Sequence, residues 1–488
     1  MKKKVVSALL CATMVATMFA GCGSKESDNN ASTPDTSKAD TSSEVSEPAE
    51  DTGKVLNIYC WNEEFKSRIT AHYPDYKEVD ATHGKIGDVD VVWNITPNDD
   101  NAYQNNLDAT LLKQESAAAD DKIDLFLVEA DYALKYVDTD YTMPIADLGI
   151  TDADLANQYQ YTKDVMTDAD GNLKGLSWQG CPGTMIYRRD IAKEVFGTDD
   201  PDEVGKLFKD YPTILETAQT LKDAGYRIFS SDAEMNVFSG DSAWVVDGTL
   251  NVDQSRIDYM DLCVDLYQND LTAYASQWST PWYQAMAGEV PILTADIQSN
   301  ADDSVNVWDA DQFAEATKGL DTTTVFAFGL PSWGVLTMRD NVGETSGLWG
   351  VCSGPAAGFD GGTYIGISSQ SERKDTAWEF VKFCTLNEDT ANWWIEYSQG
   401  DTVSLKSALD KHKDDENQIY GGEKLYQFWL DQAQYIDTSK VTRYDKGIGD
   451  AWGNAISSVK TGEKTKDEAI SDFYDTIEAT YPEITVNR

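Results

Sequence analysis

Aromatic side chains stand beside carboxylates and amides at two points where an apolar run of the chain has just ended. Trp61 is followed directly by Asn62 and Glu63, and Asp131 is followed by Tyr132. An aromatic plane can stack on a flat apolar face, whereas carboxylates and amides hydrogen-bond to hydroxyl groups. Open α/β sheets bind ligands beyond the carboxyl ends of their strands. We therefore expect these five residues to contact a polar small molecule.

Each of the two segments also has a purely structural interpretation. Trp61 suits the core beside a helix start, with Asn62 and Glu63 capping that helix. Asp131 suits the N-cap of a helix that begins at Ala133, because carboxylates accept the unpaired amide hydrogens there. Both alternatives stay open at the level of the sequence.

A polar segment further along the chain carries two tryptophans, Trp278 and Trp282, on either side of Pro281. Large aromatics in such a segment are not expected to serve packing alone, so we expect one of the two to contact ligand. Other tryptophans stay possible contacts without any ranking: Trp244, Trp308 and Trp333. Three lie within helical patterns and are expected in the core: Trp378, Trp393 and Trp394.

The sequence favours neither catalysis nor a metal site nor a cofactor. Glu63 and Glu64 are adjacent, so their side chains diverge and do not flank one bond as the acid pair of a glycosidase must. The chain shows no nucleophile elbow, phosphate loop or zinc motif, and its three histidines are scattered. The segment from Asp168 to Leu173 lacks the ligands of a calcium loop, so we expect a hairpin turn there.

Short apolar runs and helical patterns alternate along the chain, which predicts an α/β fold. The runs 55–60, 90–93 and 123–128 suit strands buried on both faces of a parallel sheet. Apolar stripes at helical spacing end near Gly197 and Gly225, and another spans 257–267. Ser369 and Glu372 have the spacing of a capping box before a helix at 377–384. These patterns lie in a chain of 488 residues, long enough for two or more compact units.

The formal charge of −45 argues against a nucleic-acid partner, because such binding requires lysine and arginine to neutralise phosphates. Cys60, Cys181, Cys263, Cys352 and Cys384 are widely spaced. We expect them to be small buried hydrophobes without disulfide bonds.

The N-terminus predicts export. Lys2, Lys3 and Lys4 precede an apolar run that ends at Ala20, which suits a signal peptide over residues 1–21. The order Ala20-Gly21-Cys22 resembles a bacterial lipobox, which implies that Cys22 is lipidated and holds the protein at the membrane. An ordinary cleaved signal with an incidental cysteine is the alternative. Residues 22–53 are almost entirely polar or small and suit a disordered tether.

Segments over most of the remaining chain, taken in order, resemble the extracellular solute-binding proteins of carbohydrate ABC importers, the maltose-binding-protein-like group. They include the strand and loop at 59–65, the strand and loop at 121–134, the crossing at 175–178 with the helix start at 186–190, the helix-glycine-strand step at 285–290, the return crossing at 349–351, 361–363 and 377–380, and the C-terminal segment at 461–464. The family's Pro-x-Thr-Trp-x-Glu segment is absent, and Asp200-Pro201-Asp202-Glu203 stands nearby instead.

The resemblance implies the periplasmic-binding-protein type II fold, with two α/β lobes joined by a multi-strand hinge. One lobe would comprise residues 54–177 and 351–400, and the other 178–350 and 401–488. Ligand would bind in the cleft between them, so Trp178 and Gln179 at the first crossing become candidate contacts. Gly361 and Gly362 would let the backbone approach a sugar closely. For Trp178 the alternative is packing at the hinge, and for the two glycines it is an ordinary turn.

The same resemblance implies a function. The chain would be a monomeric, lipid-anchored protein outside the cell that captures a sugar and delivers it to ABC permease subunits, without catalytic activity. The sugar would be a neutral oligosaccharide, since several aromatic platforms fit the fourteen tryptophans. A secreted glycosidase and a binding protein for another solute, such as a polyamine or an organic acid, are the alternatives.

Overall fold

Strands and helices alternate over the residues that a computed structural model describes, which are 54–239, 242–299 and 305–488. The described residues all belong to one compact unit. The signal peptide, the tether and the lipidated Cys22 predicted from the sequence lie within residues 1–53, outside the described residues.

The strands are β1 (Val55–Cys60), β2 (Tyr76–Asp80), β3 (His83–Ile86), β4 (Val89–Ile95), β5 (Leu125–Glu129), β6 (Gly175–Ser177), β7 (Gly183–Arg188), β8 (Arg227–Phe229), β9 (Val245–Val246), β10 (Thr249–Leu250), β11 (Glu289–Pro291), β12 (Thr322–Pro331), β13 (Trp349–Cys352) and β14 (Thr363–Ile367). The three apolar runs of the sequence fall in β1, β4 and β5, so those strand predictions are confirmed.

The helices are α1 (Glu64–His72), α2 (Ala102–Leu111), α3 (Ala133–Val137), α4 (Gln160–Asp164), α5 (Arg189–Phe196), α6 (Pro201–Gly205), α7 (Tyr211–Asp223), α8 (Gln254–Gln268), α9 (Thr280–Ala287), α10 (Ala295–Ser299), α11 (Ala310–Ala316), α12 (Ser332–Asn341), α13 (Lys374–Thr385), α14 (Glu388–Ser398), α15 (Lys406–His412), α16 (Leu425–Ala433), α17 (Asp445–Lys460) and α18 (Lys466–Thr480). Gly197 and Gly225 follow α5 and α7 with φ of 79° and 95°, as expected of residues that end helices.

Two sheets organise the fold. The first has the order β2-β3-β4-β1-β5-β14-β6, and the second has the order β11-β12-β7-β13 with β8 paired to β12. In the first sheet β1 pairs in parallel with β4 and β5, but β14 runs antiparallel to β5. The sheet is therefore mixed rather than purely parallel, because the chain returns to it from the other side after β13.

The central strands of each sheet bury both faces, as predicted for the runs in β1 and β5, whereas β2 and β3 at the end of the first sheet are mostly exposed and β4 buries alternate residues. Leu125 and Leu127 of β5 pack in one core and Phe126 and Val128 in another. Met185 and Tyr187 of β7 likewise point away from Ile186. Successive side chains of a strand alternate between faces, so helices must cover both sides of each sheet.

Two local predictions have clear outcomes. The capping box at Ser369 was wrong: α13 begins at Lys374, and the Ser369 hydroxyl instead donates to the Asp140 carbonyl at 2.5 Å. The hairpin turn near Asp168 is confirmed, since Thr167 bridges Leu173 and the Asp168 carboxylate accepts the Asn172 amide at 2.8 Å. The Asp168 carboxylate therefore stabilises the turn.

The five cysteines are buried and free, as predicted. Burial is also the main cause that raises their pKa values, to about 12 for Cys60 and Cys384. They therefore serve as small apolar side chains.

Candidate functional site

Three segments leave or enter the first sheet at one edge. Tyr59 of β1 is paired with Phe126 of β5, so both parallel strands end on the same side of the sheet. Thr363 begins the antiparallel β14 directly opposite Glu129, the last residue of β5. The structure therefore brings together the segments 61–63 and 130–132, which both follow strands, and places the segment 360–362 beside them.

Trp61 lies half-buried at this edge. Its ring meets the ring of Tyr103 edge to face, with centroids 5.6 Å apart. Tyr103 is fully buried, and its hydroxyl donates to the Leu127 carbonyl at 2.7 Å, with the Tyr59 carbonyl 3.1 Å away. Tyr103, against which Trp61 packs, is therefore held to β1 and β5.

Asn62 and Glu63 are exposed beside Trp61. The Asn62 side-chain carbonyl accepts the backbone amide of Glu64 at 3.0 Å, so it satisfies the first amide of α1 from the position before the N-cap. Its amide group remains a donor. Glu63 occupies the N-cap position of α1 without a capping side-chain bond.

Asp131 and Tyr132 differ sharply in accessibility. Asp131 is exposed, whereas Tyr132 is only 2% exposed and packs with the core under β5. The helix predicted after them begins at Ala133, but its N-cap is Tyr132 and no side chain caps it. Capping therefore does not account for Asp131, and we leave Tyr132 out of the proposed contacts.

Glu129 and Asp360 add two carboxylates to this edge that the sequence analysis did not single out. Loss of hydration raises the pKa of Glu129, and the negative charges of Asp131 and then Asp360 raise it further. Asp131 keeps solvent-accessible surface, but the protein around it removes part of its hydration and raises its pKa, and burial likewise raises the pKa of Asp360. Glu129 could have been predicted as a site residue from the sequence, because it is a glutamate at the end of an apolar run.

Lys446 opposes these carboxylates from the second part of the fold. It lies on α17, whose Ile448 and Trp452 pack in a core with residues of β7 and β12. Its ammonium group bonds the Asp450 carboxylate at 2.6 Å. Its positive charge acts to lower the pKa values of Glu129 and Asp131, so the acidic edge of the first sheet faces a helix that is packed on the second.

The crossing residues Trp178 and Gln179 are buried, with 2% and 6% of their surface exposed. Trp178 stacks on Phe65 with centroids 5.4 Å apart, and the Arg68 guanidinium lies 4.6 Å from its ring centroid. The indole faces are thus occupied by protein. This geometry favours the hinge-packing alternative for Trp178, and we leave it out of the proposed contacts.

The Gln179 side chain hydrogen-bonds to two elements beside the crossing, β14 and α1. Its carbonyl accepts the Thr363 amide at 2.8 Å, and its amide group donates to the Glu64 carboxylate at 3.2 Å. The side chain is used to join β14 and α1, so we leave it out of the proposed contacts as well.

Of the two tryptophans around Pro281, the structure exposes only one. Trp282 is completely buried against Phe328, whereas Trp278 is 50% exposed and stacks on Trp333 with centroids 5.3 Å apart. Trp278 also has a φ of 70°, which a bulky side chain adopts at a cost of about 1 kcal/mol or more. The fold therefore holds Trp278 outward against a backbone preference.

Trp333 joins this aromatic pair to the first sheet. Its indole N–H donates to the Asp360 carbonyl at 3.4 Å. Gly361 has a φ of 72°, and a Cβ there would lie 3.2 Å from the Trp333 indole nitrogen. Gly362 has a φ of 92° and lies near the Cys181 sulfur. The positive φ favours glycine at both positions. At Gly361 the close approach of the Trp333 ring is a second reason.

Over residues 54–239, 242–299 and 305–488, no group of histidine, cysteine and carboxylate side chains is arranged to hold a metal ion. None of the helices in the same ranges is both long and apolar enough to cross a lipid bilayer.

Two α/β lobes that meet over exposed aromatic and acidic side chains define a two-lobed solute-binding protein of the periplasmic-binding-protein type II fold. The family model for bacterial extracellular solute-binding proteins matches residues 85–418, more than half of the chain, and the chain belongs to that family. The family expected from the sequence is therefore confirmed. A search of curated protein sequences finds no significant match.

Solved structures share the fold at low sequence identity. An extracellular solute-binding protein of family 1 superposes with a TM-score of 0.64 at 17% identity, over 88% of this chain and 100% of that one. An ABC transporter associated binding protein from B. animalis subsp. lactis Bl-04, in complex with beta-1,6-galactobiose, gives 0.63 at 15% identity, over 89% and 100%. The sugar-binding protein MalE from Xanthomonas citri gives 0.57 at 14%, over 87% and 96%.

Proposed function

We propose that this protein captures a neutral oligosaccharide between its two lobes and delivers it to the permease subunits of an ABC importer. One observation carries the proposal: the Trp278–Trp333 stack meets the Asp360–Gly361 segment at the edge where Trp61 and Asp131 also lie. Indole planes suit the flat C–H faces of a sugar, and carboxylates suit its hydroxyl groups. The sugars bound by structural neighbours lend support.

The remaining proposals concern the protein's setting. We propose that Cys22 carries a lipid anchor on the outer face of the cell membrane, that the protein acts as a monomer, and that it has no catalytic activity. Incubation with oligosaccharides tests the last point, because any released product would contradict it.

The lobe boundaries are also proposals, and sheet membership supports them. β1 to β6 and β14 belong to the first sheet, whereas β7, β8, β11, β12 and β13 belong to the second. Two details suggest adjustments. β13 continues in the second sheet to Cys352, and Trp394 of α14 packs with residues of β7 and β12. We therefore favour assigning both elements to the second lobe.

A cationic solute such as a polyamine is the second candidate function. Glu129, Asp131 and Asp360 outnumber the single Lys446, which is already paired with Asp450. A bound ammonium group would favour the ionised form of these carboxyls, whose pKa values are raised in the free protein. The aromatic pair beside it favours the sugar.

Titration calorimetry separates the two candidates. The protein is titrated with a panel of neutral oligosaccharides and with putrescine and spermidine. We expect a neutral sugar to bind with a Kd of about 1 μM or tighter, which is about −8 kcal/mol. Binding of a polyamine with no response to any sugar would overturn the sugar proposal.

A further inference from the structure

Two adjoining cavities in the second lobe share one wall. The first, of about 140 Å³, begins at Asp360 in the cleft, and the second, of about 430 Å³, reaches Trp308. Ser231, Asp232, Ser276 and Lys460 line both of them. Because the two cavities adjoin at these residues, we name them together the groove, which extends from Asp360 at the candidate site to Trp308.

An ion pair stands at the middle of this groove. The Lys460 ammonium lies 2.7 Å from the Asp232 carboxylate, and their side chains are 21% and 10% exposed. An ammonium group has three N–H donors and a carboxylate has several acceptor positions, so the pair can bond further groups on the groove side. The pair carries no net charge, and both of its groups can hydrogen-bond to neutral hydroxyl groups.

The other carboxylate of the groove is already satisfied. Glu234 is buried, accepts the Gly329 amide at 2.8 Å and accepts the Ser230 hydroxyl. Asp232 and Lys460 are therefore the charged groups that the groove offers between Asp360 and Trp308.

One tryptophan, Trp308, lines the groove, and a second, Trp278, follows two of its lining residues along the chain. Trp278 follows the lining residues Ser276 and Gln277 directly, and Trp308 lies at the far end with 65% of its surface exposed. The loops that carry the two tryptophans are joined, because the Thr280 amide donates to the Val307 carbonyl at 2.9 Å. The groove therefore has one exposed stacking surface, that of Trp308, beyond the polar pair.

We propose that this groove is an extended subsite, in which Asp232 and Lys460 bond the hydroxyl groups of a middle sugar unit and Trp308 stacks on a unit beyond it. This inference rests on the proposed function and deepens it. The ligand is then a linear oligosaccharide longer than a disaccharide, whose chain runs along the second lobe.

The test uses the full chain and chain-length series of α-1,4-glucan, β-1,4-glucan and β-1,6-galactan oligosaccharides. Titration calorimetry gives Kd for each member from the monosaccharide upward. We expect the affinity in one series to rise beyond the disaccharide, and Trp308→Ala to weaken the longer members about tenfold while leaving the disaccharide unchanged. Trp278→Ala should weaken every member of that series.

Tyr397→Ala is the matched control, because Tyr397 is 55% exposed on α14 and does not line the groove. It should leave all affinities unchanged. Affinities that do not change with chain length, or an equal effect of Trp308→Ala on short and long members, would overturn the extended subsite while the sugar proposal stands. Failure of every series to bind would overturn both.

Discussion

The indole N–H of Trp333 donates to the backbone carbonyl of Asp360, which joins a helix of the second lobe to the segment that enters the first sheet at β14. This bond sets Trp333, and with it the stacked Trp278, at the edge where the carboxylates of Glu129 and Asp131 lie. The candidate site therefore draws residues from both sheets of the fold.

We predict that Trp278→Ala weakens sugar binding by about 2 kcal/mol, roughly 30-fold in Kd, because a half-exposed stacking surface is lost. Trp61→Ala should cost a similar amount if its ring stacks on the same ligand. Calorimetry with whichever sugar binds in the panel measures both effects. An unchanged Kd for either variant would remove that residue from the site, and Tyr397→Ala again serves as the control.

The sequence located part of this site because the carboxyl end of a buried strand is visible as the end of an apolar run. That rule found Trp61 and Asp131. It could not tell that Trp178 is buried, since the covering Phe65 and Arg68 lie far away along the chain. Which aromatic is exposed depends on such long-range packing.

The bond between Trp333 and Asp360 had no signal in the sequence for the same reason. Trp333 stands near the start of α12 and Asp360 in an irregular segment, and no periodicity links them. Fold class was predictable, by contrast, because strand and helix patterns are local. The two lobes were then predicted because segments along the chain resemble those of the family in the same order.

Gly361→Ala should lower both stability and affinity. The substitution costs about 1 kcal/mol because its φ of 72° disfavours a side chain. The new Cβ would also crowd the Trp333 indole at 3.2 Å. We expect a lower free energy of unfolding in urea and weaker sugar binding.

Gly462→Ala separates the two causes. Gly462 has nearly the same φ, 73°, but a Cβ there would meet no atom within 4 Å. It should therefore show the loss of stability alone. Equal sugar affinity in the two variants would mean that the contact between Gly361 and Trp333 does not shape the site.

Glu129→Gln should change how stability depends on pH. Burial and the charges of Asp131 and Asp360 raise the pKa of Glu129 in the folded protein. The folded state then holds a proton that the unfolded state releases above about pH 4.3, so this group destabilises the protein as pH rises. Urea unfolding of the wild type should lose stability between about pH 5 and about pH 8.

The glutamine variant should lose that part of the pH dependence and be the more stable protein at the upper end. Glu115→Gln, at an exposed position on the same lobe, serves as the control and should follow the wild type. Parallel pH profiles for wild type and Glu129→Gln would show that the Glu129 carboxyl has an ordinary pKa.

Arg68→Lys should destabilise the hinge. The guanidinium lies 3.4 Å from the Trp394 ring centroid and 4.6 Å from that of Trp178, and it bonds Glu64 at 2.8 Å. A lysine keeps the charge but cannot stack its plane between two indoles. We expect a loss of about 2 kcal/mol in the free energy of unfolding.

Arg443→Lys is the comparison, because Arg443 is exposed and lies 5.6 Å from a single tyrosine ring. It should cost much less. Equal losses in the two variants would mean that the sandwich between Trp178 and Trp394 adds nothing to stability.

Cys22→Ser should release the protein from the membrane, because serine has no thiol to carry the lipid. Cell fractionation of the expressing bacterium measures the outcome, with wild type in the membrane fraction and the variant in the medium. One acyl chain holds a protein only weakly, so stable attachment requires more than one chain at this position. Cys60→Ser provides the control, since Cys60 is buried in β1 and should not change the location. A Cys22→Ser protein that stays in the membrane fraction would contradict lipid anchoring without touching the binding site.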